Sequence, residues 1–524
     1  MPLILDVPAQ RAAPPKDLET RPKQVKAWLD SLPLAQSTEA LRKIGAHVGA
    51  VNRAKLDPED RVQILEAYRV PALALFEEME AVYAKATLPL APRARDCLTL
   101  ARHLAQELAV GCKIALAERG GKLFGGKKHV PLLVHRALDY LAMLLRASYK
   151  SYTPVPEGVW REMHQLYLFA DQERICAEVV DAETKDTVIT PYVEALLLSL
   201  TDPYRLSPGE VDKVLAQVRW ARANVTLAQS RPATPSGGHF IVPCDSDKPP
   251  KPALSANDDG GGPNWRLFDV NPLVEKMRMR HQAMQSGQLS NAARTSLPPE
   301  LLPLVAKVVS LWGDPPKRSF RRNPVEGTVA ICTGIKALSY FLPLEQNDAR
   351  NEEQVRQGIT MPLQAPTLDE HDQMVPVFEY DVVNESEGGL KVRRLSATLQ
   401  QLAVGEVVGI KSPGKLFWAV GVVRWVTVFE EGGLEFGVQF LAPRALAVVV
   451  TPTIASSGTQ PRGALLLSED VEWSSEESLL TPSGTYSELR EFEVSGEGGL
   501  LYTVRARNLI EKTVRFELFH VSPS

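Results

Sequence analysis

The apolar residues of this chain keep a helical spacing as far as about residue 230 and a strand-like texture from Arg318 onward. Helices need apolar residues three and four apart, whereas a half-buried strand needs every second one, so the two halves cannot share one kind of element. A chain of 524 residues has room for several domains of roughly 100–200 residues. The pattern therefore predicts a multidomain α plus β protein, with an all-α helical N-terminal bundle or solenoid followed by antiparallel β-structure.

Within the helical part, local chemistry marks where helices start. Asp57 stands before Pro58, Glu59 and Asp60, which combines an N-cap, a proline at the first helical position and acids near the positive helix end. Val62 to Ala84 then carries apolar residues at helical spacing, interrupted by Pro71. Ser207-Pro208-Gly209-Glu210 reads as a capping box, and Val211, Val214, Leu215 and Val218 follow on one face. Val130–Ser148 and Tyr192–Leu200 are strongly apolar and read as buried. No fixed repeat period joins these helices.

The expected boundaries are a disordered N-terminus over 1–20, the helical domain over 21–230, a linker over 231–270, a helical connector over 271–316, a β-barrel over 317–445 and a β-rich C-terminal extension over 446–524. The linker assignment rests on the density of Pro, Gly, Ser and Asp, which leaves little apolar surface to bury. Only His239–Val242 reads as a short strand there. In the β part, runs such as GEVVGIK, FWAVGVVRWVTV and LEFGVQFL are bounded by turn residues. Residues 343–373 interrupt them with a polar stretch.

Composition narrows the function. The formal net charge is −4, so no global basic field argues for nucleic acid. Five scattered cysteines fit reduced thiols better than a disulfide framework, and nine scattered histidines show no metal-ligand spacing. No leader peptide is recognisable at the N-terminus, and no apolar run approaches the ~18 residues of a membrane span. These features predict a cytoplasmic protein without a metal or cofactor. Gly121 to Lys128 approaches a phosphate-binding loop, but Lys128 replaces the hydroxyl that would hold magnesium and no strand precedes it. It reads as a basic interhelical loop, and nothing in the chain proposes an active site.

Two short motifs carry the functional reading. Lys317-Arg318-Ser319-Phe320-Arg321-Arg322 places four cations in six residues just before a strand, with Arg318 and Arg322 at the spacing RxxxR. Asn384, Ser386 and Gly389 have the form NxSxxG between two strands. Taken singly, the first reads as a solvated basic loop and the second as an ordinary hairpin turn. Together, and followed by Val423-Arg424-Trp425 and Gly437-Val438-Gln439-Phe440, they resemble the PilZ domain family over residues 317–445. The separation between Arg322 and Asn384 is longer than the family's usual gap, and the stretch 343–373 accounts for the excess.

The resemblance implies a β-barrel receptor for the bacterial second messenger cyclic di-GMP. It places Arg318 and Arg322 on phosphate and guanine, and Asn384, Ser386 and Gly389 on another guanine face. Arg321 lies in the same segment but off the motif spacing and ranks behind them. The chemistry agrees with the ligand. An arginine fork matches phosphate oxygens and guanine O6 and N7, and its flat face stacks on a purine. The strands holding Val423–Trp425 and Gly437–Phe440 read as scaffold, with Arg424 turned to solvent. The output is expected through a protein partner of the helical domain. The competing reading is a structural or interaction protein whose barrel has lost its ligand.

Overall fold

The computed structural model describes residues 6–11, 15, 18–119, 128–230, 234–253, 262–286, 298–314, 321–343, 375–397, 400–415, 417–429, 431–454, 460–467, 476–496 and 501–524. The chain divides into two units, one of Met1–Ala86 with Leu90–Lys317 and one of Thr87–Pro89 with Arg318–Ser524.

The first unit contains α1 (Pro22–Asp30), α2 (Ser37–Asn52), α3 (Pro58–Tyr83), α4 (Pro92–Arg119), α5 (Val130–Ser151), α6 (Val159–Gln172), α7 (Thr190–Ser199), α8 (Glu210–Ala221), α9 (Asn271–Gln285) and α10 (Leu302–Gly313). Prolines 22, 58, 131, 191, 272 and 303 stand in first turns, where the missing N–H breaks no helical bond. The Asp57 carboxylate accepts from the Glu59 N–H at 2.8 Å, as its position predicts. The Ser207 N–H donates to Glu210 at 2.7 Å, the returning half of the expected capping box. Helix α3 runs unbroken through Pro71.

Helix α4 is the spine of this unit and packs on α2, α3 and α5. Close approach is possible because a Cβ on Gly111 would lie 2.5 Å from Leu65 Cδ2 and 2.9 Å from Asn52 Oδ1. The fully buried Arg61 guanidinium donates to the Ala54 carbonyl at 2.9 Å and to Glu118 at 3.1 Å. It ties the start of α3 to the end of α2 and to α4.

Four stretches differ from expectation. A short hairpin, β1 (Val179–Asp181) and β2 (Asp186–Thr187), lies within the helical part. The stretch read as a linker instead supplies most of a four-stranded antiparallel sheet of β3 (Thr226–Ala228), β4 (His239–Pro243), β5 (Lys251–Pro252) and β6 (Trp265–Asp269), in the order β3-β6-β4-β5. Phe240, Val242 and Phe268 are buried there. The stretch read as a connector is built into the unit, with Trp312 fully buried and its indole N–H donating to the Leu197 carbonyl at 3.1 Å. Arg11, within the part read as disordered, makes backbone bonds to Arg53 and Lys55 of 2.7 and 3.0 Å.

The second unit contains two closed antiparallel barrels. The first has β7 (Thr328–Thr333), β8 (Phe378–Ser386), β9 (Gly389–Arg394), β10 (Val407–Lys411), β11 (Ala419–Val428) and β12 (Leu434–Ala442). Around the barrel they run β7-β8-β9-β12-β11-β10. The second has β13 (Leu446–Pro452), β14 (Arg462–Leu467), β15 (Ser478–Pro482), β16 (Glu491–Gly496), β17 (Leu501–Lys512) and β18 (Phe516–Pro523), running β13-β14-β15-β18-β17-β16. The strand order is the same in both. The C-terminal extension is thus a topological repeat of the barrel before it. Apart from residue 343, the 343–373 insertion lies outside the described residues.

The two barrels share a hydrophobic core. Val420, Val422 and Ala442 of the first cluster with Leu465, Leu480, Phe516 and Leu518 of the second. A helical segment over residues 335–343 adds Leu338 and Leu342 to this cluster, and its Phe341 stacks on Trp418 at 5.1 Å. No helix among the described residues is long and apolar enough to cross a membrane. None of the five cysteines is in a disulfide.

Candidate functional site

Hairpin β8–β9 turns through Glu387 and Gly388, with Ser386 paired to Gly389. The Ser386 hydroxyl donates to the Gly389 carbonyl at 3.1 Å. A Cβ at Gly389 would stand 2.1 Å from the Val438 carbonyl oxygen, so no larger residue fits between β9 and β12. A bulge between Val382 and Asn384 resets the alternation of β8.

Register then defines the wall that carries the motif. Directly opposed residues of an antiparallel pair project to the same face. One row across the barrel reads Ser386, Gly389, Gln439 and Val422, and the next reads Asn384, Lys391, Gly437 and Trp425. Leu390 and Val392, which flank Lys391 on β9, are buried, so the rows face outward. Lys391 and Arg393 pair with Glu435 at 2.8 and 2.5 Å, as outward charges do. Asn384, Ser386 and Gly389 are therefore together on the outer wall.

The two glycines flatten that wall. A Cβ on Gly437 would lie 2.1 Å from the Trp425 indole nitrogen, so the ring rests directly against the glycine. Lys391 Nζ lies 5.7 Å from the centroid of the same ring. Gln439 is exposed beside Gly389.

Arg318, with Lys317, Ser319 and Phe320, lies outside the described residues. Arg321 and Arg322 are exposed. Asn323 forms an antiparallel bridge with Glu385, with N···O distances of 2.9 and 3.0 Å. The chain continues beside β8 through a Val382 N–H to Gly327 carbonyl bond of 2.8 Å and into the β7–β8 pairing. This delivers Arg322 to the end of the strand that carries Asn384 and Ser386.

Arg424 does not face open solvent as expected. It sits at a bulge between Val423 and Trp425. Its Nε donates to Gln439 Oε1 at 2.7 Å, and its Nη atoms donate to the Glu511 carboxylate of β17 at 2.5 and 2.7 Å. Arg424 keeps the outward face that counting gives it, beside the outward Gln439, but β17 of the second barrel supplies it with a partner there.

A large cavity of about 850 Å³ lies elsewhere, in the helical unit. Six basic and six acidic side chains line it. Many pair with one another, Arg69 with Asp139 at 2.9 Å, Lys150 with Glu80 and Asp212, and Arg222 with Asp186 and Glu194. That balance leaves no cationic excess for a doubly charged anion, and the barrel wall remains the better candidate.

Comparison with known families decides what this wall belongs to. Residues 239–350 and 342–446 match the family described as the middle PilZ domain of the cyclic-di-GMP receptor FimW. The chain carries a PilZ domain. The PilZ match takes in β4 to β6, α9 and α10 as well as the first barrel. Residues 23–231 match the N-terminal domain of the same receptor family, so the likeness extends beyond the C-terminal half. The cyclic-di-GMP receptor FimW of Pseudomonas aeruginosa is 27% identical over an alignment of 480 residues that covers 82% of this chain and 78% of that protein. No solved structure matches the chain.

Trp425 and Gln439 read from the sequence as residues of scaffold strands in the PilZ resemblance rather than as part of the site, and Lys391 receives no role there. Their signal was present for Lys391, since counting by two from Gly389 reaches it. For Trp425 and Gln439 the pairing of β9, β12 and β11 is needed.

Proposed function

We propose that this protein is a cyclic di-GMP receptor whose ligand is held between the arginine segment and the outer wall of the PilZ barrel. The observation that carries this reading is the Asn323–Glu385 bridge, which brings the segment behind Arg322 alongside the strand bearing Asn384 and Ser386. Arg318 and Arg322 supply forked donors to a phosphodiester and to guanine O6 and N7. Arg321 adds positive field. Asn384 and Ser386 offer short polar groups to a guanine edge, and Gly389 keeps the wall low enough for the base to approach. Lys391 and Trp425 extend the wall with a cation and an aromatic face.

The protein acts as a signalling receptor rather than as an enzyme, and the ligand is a cyclic dinucleotide rather than a resident cofactor. Binding engages the arginine segment, and a difference in ligand affinity between two arrangements of the protein drives the switch. The output passes to a protein partner through the helical unit. A cytoplasmic location follows from the second messenger and fits five cysteines outside any disulfide.

Calorimetric titration with cyclic di-GMP tests the reading. Wild type should bind saturably, and Arg318→Ala and Arg322→Ala should each lose about ten- to a hundredfold in affinity, the worth of one charge-assisted contact. Folded wild-type protein that gives neither heat nor a thermal shift overturns it.

A further inference from the structure

The C-terminal barrel lies beyond the residues that match either receptor domain, yet it reaches the ligand wall. Strand β17 is irregular twice, between Ala506 and Leu509 and between Leu509 and Glu511. Strand β11 is irregular at Arg424. The two irregularities meet in a bidentate ion pair between Arg424 and Glu511. Bulges disrupt the ladder and re-aim side chains, and here two bulged strands from different barrels aim opposite charges at one another.

The consequence falls on Gln439. An arginine has donors only, so the atom of Gln439 that meets Arg424 Nε is its carbonyl oxygen. That contact is 2.7 Å long. It leaves the Gln439 amide hydrogens as the free polar edge, in the same row as Gly389 and Ser386. Without Glu511, the guanidinium is released from its fork and the orientation of Gln439 is no longer set.

We infer that Gln439 is an additional ligand-binding donor for an acceptor of the cyclic dinucleotide, a purine O6 or N7 or a phosphate oxygen, and that Glu511 of the C-terminal barrel is its positioning residue, acting through Arg424. This rests on the receptor reading above. It gives the C-terminal barrel a task, which is to complete the ligand wall of a barrel with the same strand order.

A double-mutant cycle on the full-length protein tests this, with cyclic di-GMP as the titrant and thermal melting as the check on folding. Gln439→Ala should weaken binding about tenfold, and Glu511→Gln about three- to tenfold, with melting little changed. Because Glu511 works through Gln439, adding Glu511→Gln to Gln439→Ala should cost nothing further. A merely structural role for Glu511 would give additive losses, and that result overturns the inference. Gln439 is exposed, so its variant should fold even if Glu511→Gln does not, and unchanged affinity in Gln439→Ala overturns the inference alone. Wild-type protein that binds no cyclic di-GMP overturns the receptor reading with it.

Discussion

His164 is fully buried in the helical unit. Burial pushes its pKa down to about 4, against smaller opposing effects of the Lys248 carbonyl and Asp247. The ring is therefore neutral at pH 7, with Nδ1 accepting from the Tyr192 hydroxyl at 2.7 Å and Nε2–H donating to the Lys248 carbonyl at 2.9 Å. In the unfolded chain the same ring takes up a proton near pH 6.5. Between pH 6.5 and 4 the unfolded state thus binds more protons, and stability falls as the pH falls. The contribution is complete above pH 6.5 and lost below about 4, with a slope of about 1.4 kcal/mol per pH unit. His164→Gln keeps one donor and one acceptor without the titration, so its melting profile from pH 7 to 4 should be flatter by that one-proton slope. An unchanged profile would show that His164 is not the group responsible. Residues of this kind were not legible in the sequence, since nothing local distinguishes a buried histidine from an exposed one. The motif residues Asn384, Ser386 and Gly389 were legible because their spacing survives in the hairpin itself.

At the scale of elements, the β8–β9 hairpin owes its closeness to β12 to one missing methyl. Gly389→Ala places a carbon 2.1 Å from the Val438 carbonyl oxygen. The strands must part there, at an expected cost of about 1–3 kcal/mol and with weaker cyclic di-GMP binding. Gly463 in β14 has nothing within 4 Å of its Cβ position, and Gly463→Ala should leave stability within about 0.5 kcal/mol of wild type. Chemical denaturation of the two variants checks the contrast, and equal midpoints would show that the Gly389 contact relaxes at no cost. Helix starts at Asp57 and Glu210 were readable because caps are local chemistry. Of the sheet of β3 to β6 only β4 was, at His239–Val242, because β5 spans only Lys251–Pro252 and β3 only Thr226–Ala228. Strands that short, set among Pro and Gly, carry no measurable alternation. Their burial comes from packing that composition does not reveal.

At the scale of the second unit, the sequence of β11 already held a sign of the paired barrels. Ala419 to Val428 is apolar on both faces except at Arg424 and Thr427, the pattern of a strand covered on two sides. Val423 and Val426 are buried, while Val420 and Val422 join the core shared with the second barrel. Closure of residues 446–524 into a barrel of their own was not readable, because closure depends on which strands pair, whereas each strand announces only its own alternation. A shared core predicts shared stability. Phe516 is fully buried within that cluster, so Phe516→Ala should cost about 3–5 kcal/mol. If the cluster joins the barrels into one cooperative body, that loss should appear in both. Native-state hydrogen exchange reads this directly. The amides of β10 and β11, in the PilZ barrel, should lose protection alongside those of β15 and β18. Faster exchange confined to the second barrel would mean that each barrel opens alone, and that the shared cluster joins them without coupling their unfolding.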